Sequence, residues 1–374
     1  MDAAIDIREV RTPGDLRAFI RLPWAIHTGH PGWVPPLLSE EKDFFRPKSN
    51  PAFAYSDTLL LLARRGGVPA GRVMGIVNRR YNEAKGEKKA RFACLECGDD
   101  PDLAGLLLGR IEGWARGLGM VQVIGPMGFT DQDPQGFIME GYEFEPSIGT
   151  YYNHPYMPGL VEGLGYGKDM DYAVYRIDLP KEVPAFYRKV AERAARRDVC
   201  RLLDVKSRRG LRPHVRPILE LMNHCFQELY GYSALDEREM KALARRFLPV
   251  LDPRFVKIAV HGGEIVGFNI AMPNLAEGLR RANGRLFPLG FLKIMRAGRK
   301  TRQLDTLVGG VRSDFRGKGV DAIIGCATMA AAIEAGFEFV DSHHELEYNQ
   351  KVRGEMEKLG GRVYKVYRIF GKAL

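Results

Sequence analysis

A short, basic and glycine-rich loop is the segment of this sequence most suited to chemistry. Residues 311–321 read V-R-S-D-F-R-G-K-G-V-D and lie between an apolar run and a long apolar segment. Glycines let successive backbone N–H groups point at one anion, and the start of the following helix adds positive potential. Arg316 and Lys318 add two cationic side chains. The pattern predicts a pyrophosphate-binding loop; a basic turn without a ligand is the alternative, because short glycine motifs also arise by chance.

A second group of reactive side chains follows the predicted strand F-E-F-V-D. Side chains of these types can accept or donate a proton, so this group could supply a general base. The candidates are Asp341, His343, His344, Glu345 and Glu347. Strand alternation would place Asp341 and His343 on one face. His343-His344-x-x-Glu347 lacks a helix to align metal ligands, so no metal is predicted. For each residue, a hydrogen-bonded polar group at a strand end is the alternative.

The first half of the chain carries a dense polar and aromatic patch, Y-Y-N-H-P-Y at residues 151–156. Such a patch can line an acceptor pocket between two domains. The candidates for substrate contact are Tyr152, Asn153 and Tyr156. A packed aromatic loop is the alternative. Cys94-x-x-Cys97 has no second cysteine pair at matching spacing, which favours two buried cysteines over a zinc or redox site.

An insertion at residues 274–300 combines apolar and basic side chains. Between residues 275 and 303 there are eight Lys/Arg against one acidic residue, and Phe287, Phe291 and Leu292 lie among them. This combination predicts an interfacial element whose apolar residues enter lipid while the basic residues meet anionic headgroups. Two alternatives remain: a cap on a long acyl-chain tunnel, or a surface helix pair packed on the core.

The order of predicted elements repeats once along the chain. Each half contains a hairpin around a Gly-Gly turn, a strand, a helix, a strand, a short helix and a closing strand. The two turns are Gly66-Gly67 and Gly262-Gly263. Such repetition indicates an internal duplication. The pattern predicts an α/β fold with a mixed (α+β) sheet in two tandem domains, residues 1–180 and 181–374.

Composition and charge exclude several classes of protein. The 374 residues are 45% hydrophobic and 27% charged, which is typical of a globular protein of about two domains. The first residues are unlike a secretory signal, and no apolar run is long enough to cross a bilayer. Five irregularly spaced cysteines indicate a reducing compartment. The net charge of +10 concentrates in residues 181–216 and 275–303, which predicts an anionic partner: nucleic acid, a phosphate ligand or a lipid surface.

The loop resembles the signature of the GNAT superfamily of acyl-CoA N-acyltransferases, Arg/Gln-x-x-Gly-x-Gly/Ala. Arg316-x-x-Gly319-x-Asp321 matches it except at Asp321. Asn349 resembles the start of the family's downstream helix, but Met356 stands near the Tyr that many members use as a general acid. With H-P-G-W-V-P-P-L, G-P-M-G-F-T-D-Q-D-P-Q-G and R-V-Y-K-V-Y-R-I-F, the whole chain resembles a bacterial family of tandem GNAT proteins. That group includes bacterial ceramide synthases.

The resemblance implies direct attack of an amine on a CoA thioester, with acyl-CoA as substrate and no metal. The second domain would hold the thioester, and the first would shape the acceptor site. The residues implied for the CoA loop are Val311, Arg316, Gly317, Lys318, Gly319, Val320 and Asp321. Those implied for catalysis are His343, His344, Glu345, Glu347 and Asn349. The first half has the acidic G-D-D-P-D-L-A-G in place of the loop, so one nucleotide site per chain is expected.

The expected function is therefore acyl transfer to an amine, preferably a long-chain lipid amine of sphingolipid metabolism. The expected location is the cytoplasm, with peripheral attachment to the inner face of the membrane. A non-catalytic acyl-CoA or lipid-binding protein is one alternative, favoured by the missing Tyr and by Asp321. The other is an RNA-dependent aminoacyl transferase, with residues 181–216 as the RNA contact. The stretch lacks interleaved aromatic residues, which disfavours a nucleic-acid partner.

Overall fold

The computed structural model describes residues 4–374. The first half contains seven strands and five helices in the described residues. The strands are β1 (Ile5–Glu9), β2 (Ser56–Arg65), β3 (Val68–Asn78), β4 (Lys89–Cys97), β5 (Gln122–Gly125), β6 (Phe137–Glu140) and β7 (Gly167–Asp178). The helices are α1 (Pro13–Ile26), α2 (Leu38–Phe44), α3 (Arg79–Lys85), α4 (Pro101–Gly117) and α5 (Tyr156–Gly163). Strand β6 lies within residues 127–158, an aromatic and Gly/Pro-rich segment whose composition predicts a loop.

The second half repeats the order of elements. Its strands are β8 (Arg201–Leu202), β9 (Val256–His261), β10 (Glu264–Pro273), β11 (Gln303–Val311), β12 (Phe339–Asp341), β13 (Glu345–Leu346) and β14 (Arg362–Ala373). Its helices are α6 (Ala185–Arg196), α7 (Arg208–Phe226), α8 (Glu237–Phe247), α9 (Ala276–Ala282), α10 (Gly290–Gly298), α11 (Val320–Glu334) and α12 (Gln350–Lys358). The predicted insertion is the helix pair α9–α10. No helix in residues 4–374 is long and apolar enough to span a bilayer.

All of these strands join in one mixed sheet, which confirms the predicted fold class. Its order is β1-β2-β3-β4-β5-β14-β7-β12-β11-β10-β9-β8. The closing strands change places: β14 pairs with β5 of the first half, and β7 pairs with β12 of the second. The repeated order of elements does not indicate this exchange, because the order along the chain does not fix strand pairing. The boundary at residue 180 stays a prediction, because the exchange joins both halves by main-chain hydrogen bonds.

Glycines allow the long helix of each half to lie close to its sheet. A Cβ at Gly75 of β3 would lie 2.8 Å from the ring of Trp114 in α4. In the second half, a Cβ at Gly267 of β10 would lie 2.9 Å from Ile324 in α11. A β-carbon at either position would hold the helix away from the strands. The same device in equivalent positions supports the duplication, and both helices bury their sheet-facing residues.

Candidate functional site

Strands β11 and β12 diverge at the centre of the second half. They pair in parallel at only three positions, from Gln303 opposite Phe339 to Asp305 opposite Asp341. Beyond this point β11 continues, whereas the segment that follows β12 turns away at His343, whose φ is +61°. It then forms β13 against β7. The turn ends the strand, so the predicted alternation beyond Asp341 does not apply. A wedge-shaped gap opens between β11 and residues 342–345.

A β-bulge in β11 lies beside this gap. Ile270 of β10 is opposite Val308 and Ala271 is opposite Thr306, so Leu307 is the extra residue. A bulge interrupts the regular ladder and bends the strand. On the gap side, the backbone of β11 beyond Asp305 has no partner strand among residues 4–374. An extended ligand can therefore pair with this edge as an added strand would.

The predicted phosphate loop leads from the end of β11 into α11. Gly317 and Gly319 have φ values of +74° and +93°, a region that favours glycine. Gly319 is the N-cap of α11 and offers no side-chain cap to the first helical N–H groups. Arg316 donates from Nε to the Val311 carbonyl at 3.1 Å and is exposed, as is Lys318. The loop therefore presents open N–H groups beside two cations, the arrangement that binds phosphate.

The equivalent helix of the first half, α4, is capped at its N-terminus by a carboxylate of the chain itself. Asp100 is the N-cap of α4, and its side chain accepts from the backbone N–H of Leu103 at 3.0 Å. The same carboxylate forms an ion pair with Arg65 at 2.5 Å. A carboxylate at a helix N-terminus neutralises the potential that would attract a phosphate. The position that could bind an anion in the first half is thus filled by the chain itself.

One large cavity of about 1380 Å³ connects these features. It begins at the phosphate loop, passes through the gap between β11 and β12, and reaches the first half and α9–α10. Its wall includes Val311, Arg316, Gly317, Asp321, Ser342, His343, His344, Glu345, Asn349, Met356, Cys94, Glu96, Tyr152, Asn153, Leu279, Leu286 and Ile294. Single small-molecule sites usually occupy 300–1,000 Å³. The cavity is therefore large enough for more than one small molecule.

Glu345 is the acidic group in the gap that is best placed for proton transfer. It lies on the cavity wall at the start of β13. Burial raises the pKa of its carboxyl to about 8, and the nearby Glu355 acts in the same direction. No hydrogen bond from the described residues offsets this shift. A carboxylate with a raised pKa accepts a proton more readily than an ordinary one.

His344 lies beside Glu345 with one free nitrogen. Its ring packs between Tyr172 and Tyr367, with centroid distances of 5.0 and 4.4 Å. The buried Nε2 has no hydrogen-bond partner within residues 4–374. Burial lowers the pKa of His344 well below its usual value, and the neighbouring His343 acts in the same direction. The ring is therefore neutral and can exchange a hydrogen bond with a ligand in the cavity.

His343 holds the turn in place. Its Nε2 lies 2.9 Å from the Ile148 carbonyl oxygen, and its backbone N–H donates to Asp341 at 2.7 Å. Burial also lowers the pKa of His343. The contact with Ile148 connects the gap to the first half, because Ile148 belongs to the segment between β6 and α5. This geometry fits a positioning role better than direct proton transfer.

A buried ion pair below the gap was not predicted. Lys365 of β14 lies 2.8 Å from Asp341, and both side chains are fully buried. Lys365 also donates to the Glu145 carbonyl and to Ser147 Oγ, each at 3.0 Å. Burial alone would raise the pKa of Asp341, but the Lys365 ammonium outweighs it and lowers that pKa to about 2. A lysine flanked on both sides by a valine and a tyrosine, in V-Y-K-V-Y, was the one signal available in the sequence.

Other predicted residues lie elsewhere. Glu347 is absent from the cavity wall and accepts from Lys168 at 2.6 Å. Asn349 caps α12 at the edge of the cavity. Tyr152 and Asn153 lie on the wall, but Asn153 is occupied by hydrogen bonds to Ile138. The Tyr156 hydroxyl donates to the Cys97 carbonyl at 2.8 Å, away from the wall. The structure thus brings His343, His344 and Glu345 together and leaves Glu347 and Tyr156 apart.

The phosphate-loop candidates divide in the same way. Val311, Arg316, Gly317 and Asp321 lie on the cavity wall, whereas Val320 is buried beneath the loop. Lys318 is exposed and Gly319 is partly buried at the helix start.

Asp321 is the position at which this chain departs from the family pattern. Its carboxylate faces Glu355 of α12 and helps to raise the pKa of Glu355, although burial is the larger cause. Met356 lies on the wall and carries no proton to donate. Tyr348, which was not predicted as a site residue, lies on the same wall and carries a hydroxyl group.

The α9–α10 pair has one face in the cavity and one in solvent. Leu279, Leu286 and Ile294 line the cavity. Phe287, Phe291 and Leu292 are 80%, 42% and 50% exposed. The pair is attached to the first half by hydrogen bonds from Trp24 to Asn283 (2.8 Å) and from Leu38 to Gly284 (2.9 Å). It therefore covers the cavity and also presents an apolar surface, which combines two of the sequence interpretations.

Comparison with known proteins agrees with this geometry. The chain is similar to a bacterial ceramide synthase from Caulobacter vibrioides, at 27% identity over 387 residues, covering 100% of this chain and 98% of that protein. Its fold is similar to a tandem GNAT protein from the clavulanic acid biosynthesis pathway, with TM-score 0.55 and 13% identity over 99% and 98% of the two chains. A GCN5-related N-acetyltransferase from Sphaerobacter thermophilus gives TM-score 0.50 and 14% identity over 99% and 95%. No family model matches.

The comparisons define the fold. The chain has the fold of tandem GNAT proteins, which confirms the fold implied by the resemblance of the loop at residues 311–321. Along its whole length it is related in sequence to the ceramide synthase of Caulobacter vibrioides.

Proposed function

We propose that this protein is an N-acyltransferase that moves an acyl group from a CoA thioester to the amine of a long-chain lipid. The observation that carries the proposal is the continuity of the cavity. One apolar space joins an uncapped phosphate loop, a gap with an unpaired β-strand edge, and the α9–α10 cover. The tandem GNAT fold and the full-length similarity to a protein named as a ceramide synthase support the same reading.

The donor would bind in the second half. The backbone N–H groups at the start of α11, with Arg316 and Lys318, would hold the pyrophosphate of CoA. The pantetheine would pair with the free edge of β11, which places the thioester beside the bulge at Leu307. Backbone N–H groups at this edge would stabilise the charge that develops on the carbonyl oxygen. The acyl chain would then extend into the apolar part of the cavity.

Glu345 would act as the general base. The amine arrives largely as an ammonium ion, so it must lose one proton before it can attack. Glu345 accepts that proton and releases it to solvent, and the neutral amine attacks the carbonyl carbon. Glu345 then accepts the second proton from the nitrogen as the carbon–sulfur bond breaks and CoA leaves as a thiolate. The proton gained by Glu345 can then pass to the thiolate, directly or through Tyr348, because Met356 cannot supply it. His344 would hydrogen-bond to the substrates through its free Nε2.

The proposal is tested by mixing the purified chain with acyl-CoA and amines of increasing chain length. CoA release and amide formation, followed by thiol detection and mass spectrometry, should rise together and favour long-chain amines over short soluble ones. Binding of acyl-CoA without turnover of any amine would instead favour the non-catalytic alternative. Turnover of short amines alone would remove the lipid acceptor while leaving the acyltransferase.

One CoA site per chain is expected, because Asp100 already fills the equivalent position in the first half. Calorimetric titration with CoA should give a stoichiometry of one and micromolar affinity. Asp100→Asn should leave the stoichiometry unchanged, since the amide still caps α4 and the glycine loop is missing there. Two equivalent CoA sites would contradict the assignment.

The exposed apolar surface formed by α10 and by Phe287, just before it, is expected to bind anionic membranes. Each basic side chain near such a surface contributes about 1 kcal/mol, so the interaction should be reversible and weakened by salt. Replacing Phe287, Phe291 and Leu292 with serine should reduce sedimentation with anionic vesicles about tenfold or more. Activity on a long-chain amine should fall more than activity on a short one.

A matched control is available in the first half. Val68, Leu106 and Val121 are also exposed apolar residues, at 66%, 49% and 58%. Their triple serine variant should bind vesicles and turn over both amines like the wild type. If the α10 variant behaves like this control, the exposed face has no role in lipid binding.

A further inference from the structure

Three histidines from two segments meet in the first half, outside the site described above. His27 follows α1, His30 lies three residues later, and His154 precedes α5. One ring nitrogen from each residue lies within 4.8 Å of the other two. The side chain of His27 is 1% exposed. The three residues are described below as the histidine cluster.

Two of the three rings are each held by a hydrogen-bond acceptor at Nε2. His27 Nε2 lies 3.1 Å from a carboxylate oxygen of Glu96, and His154 Nε2 lies 3.1 Å from the Ile26 carbonyl oxygen. Both acceptors require an N–H at Nε2, so Nδ1 of each ring is left with a lone pair. Metal-binding histidines are held in this way, by a carboxylate or carbonyl on the second nitrogen.

The contact between His27 and His30 holds one proton at a position where a cation could bind. The Nδ1 atoms of His27 and His30 are 2.9 Å apart, so one of them must carry the proton that joins them. Replacing that proton by a cation leaves both nitrogens as ligands. The three rings lie within 14° of parallel, between the rings of Trp33 and Tyr156. Lone pairs of parallel rings do not meet at one point, so at least one ring must turn when the cation binds.

We propose that the histidine cluster binds one divalent transition-metal ion, with Zn²⁺ as the best match. Neutral imidazole is a preferred ligand of zinc, copper, iron and nickel, and three imidazoles leave a further coordination position open. Stacking of aromatic side chains explains the parallel rings. It does not explain why the second nitrogens of both His27 and His154 are bound to acceptors.

The ion would join two segments that form one side of the cavity. Glu96, Trp33 and Tyr152 contact the cluster and also lie on the cavity wall. The metal would therefore stiffen the wall of the first half, far from the phosphate loop in sequence. This inference does not depend on the proposed acyl transfer, because it concerns the retention of a metal by the folded chain.

The test is metal binding by the full-length protein. Protein expressed with added zinc should contain about one equivalent after gel filtration, measured by inductively coupled plasma mass spectrometry. After chelation and dialysis, Zn²⁺ alone should rebind in calorimetry and change the fluorescence of Trp33, whose ring lies 4.7 Å from that of His27. His154→Ala should remove most of the bound metal, whereas His214→Ala on α7 should not.

Glu96→Gln provides a variant that keeps all three ligands. Loss of a carboxylate that orients a ligand typically weakens metal affinity 10–100-fold, so this variant should rebind zinc with a dissociation constant raised by that factor. Circular dichroism would show that each variant is folded. The proposal is overturned if the wild type retains no more zinc than His154→Ala, or if a folded Glu96→Gln protein binds zinc as tightly as the wild type.

Discussion

Replacing Glu345 with glutamine is expected to lower kcat for amine acylation by about 10²–10⁴-fold while leaving the dissociation constant for CoA unchanged. Glutamine keeps the size of the side chain but cannot take the proton from the attacking amine. CoA affinity should survive, because the phosphate loop is formed by other residues. Steady-state kinetics with one long-chain amine and calorimetry with CoA measure the two quantities separately.

The pH dependence of kcat/KM provides a second test of Glu345 as the general base. Burial raises the pKa of Glu345 to about 8, so the carboxyl is mostly protonated at pH 7. The base form grows as the pH rises, and kcat/KM of the wild type should increase through pH 8 before levelling. In Glu345→Gln that limb should disappear and leave only the titration of the amine itself. A variant with an unchanged profile would show that another group is the base.

Glu347→Gln is the matched comparison. The two acids are two positions apart, but Glu347 lies off the cavity wall and is paired with Lys168. Its replacement should leave kcat within about twofold of the wild type, because exposed ion pairs contribute little. A large loss at Glu347 together with a small one at Glu345 would reverse the assignment of the base.

The sequence predicted those parts of the molecule that depend on neighbours in the chain. The loop at residues 311–321 could be recognised because its glycines, its cations and the following helix are contiguous. The same holds for the acidic cap of α4. The duplication was visible because each half repeats its hairpin and helix. Patterns in neighbouring residues were therefore enough to predict the glycine-rich loop and the fold class.

Features that depend on distant pairing were not predictable in the same way. Glu345 and Glu347 look alike in sequence, and only the turn at His343 and the pairing of β13 with β7 separate them. The Asp341–Lys365 pair depends on the exchange of β14 into the middle of the sheet. The histidine cluster joins residues from both ends of the first half. Long-range contacts of this kind leave no periodic signal in the chain.

Replacing Gly319 with valine is expected to weaken CoA binding by about 100-fold or more. Gly319 has a φ of +93°, and a Cβ there would lie 2.9 Å from the Cβ of Ala194 in α6. The start of α11 must therefore move, which misplaces the N–H groups that would hold the pyrophosphate. Each hydrogen bond to a charged group contributes about 1.5–3 kcal/mol, so the loss of one or two accounts for this factor.

Gly336→Val, at the other end of α11, is the control that distinguishes a loss of CoA binding from a general loss of folding. Gly336 has a similar φ of +81°, and a Cβ there would meet nothing within 4 Å. Both valines carry a comparable backbone cost of about 1–3 kcal/mol, but only the one at Gly319 alters the loop. Thermal unfolding should show both proteins folded, and calorimetry should show a CoA defect in Gly319→Val alone. Equal CoA affinity in the two variants would show that the start of α11 does not hold the pyrophosphate, and the donor would then have to bind at another part of the cavity.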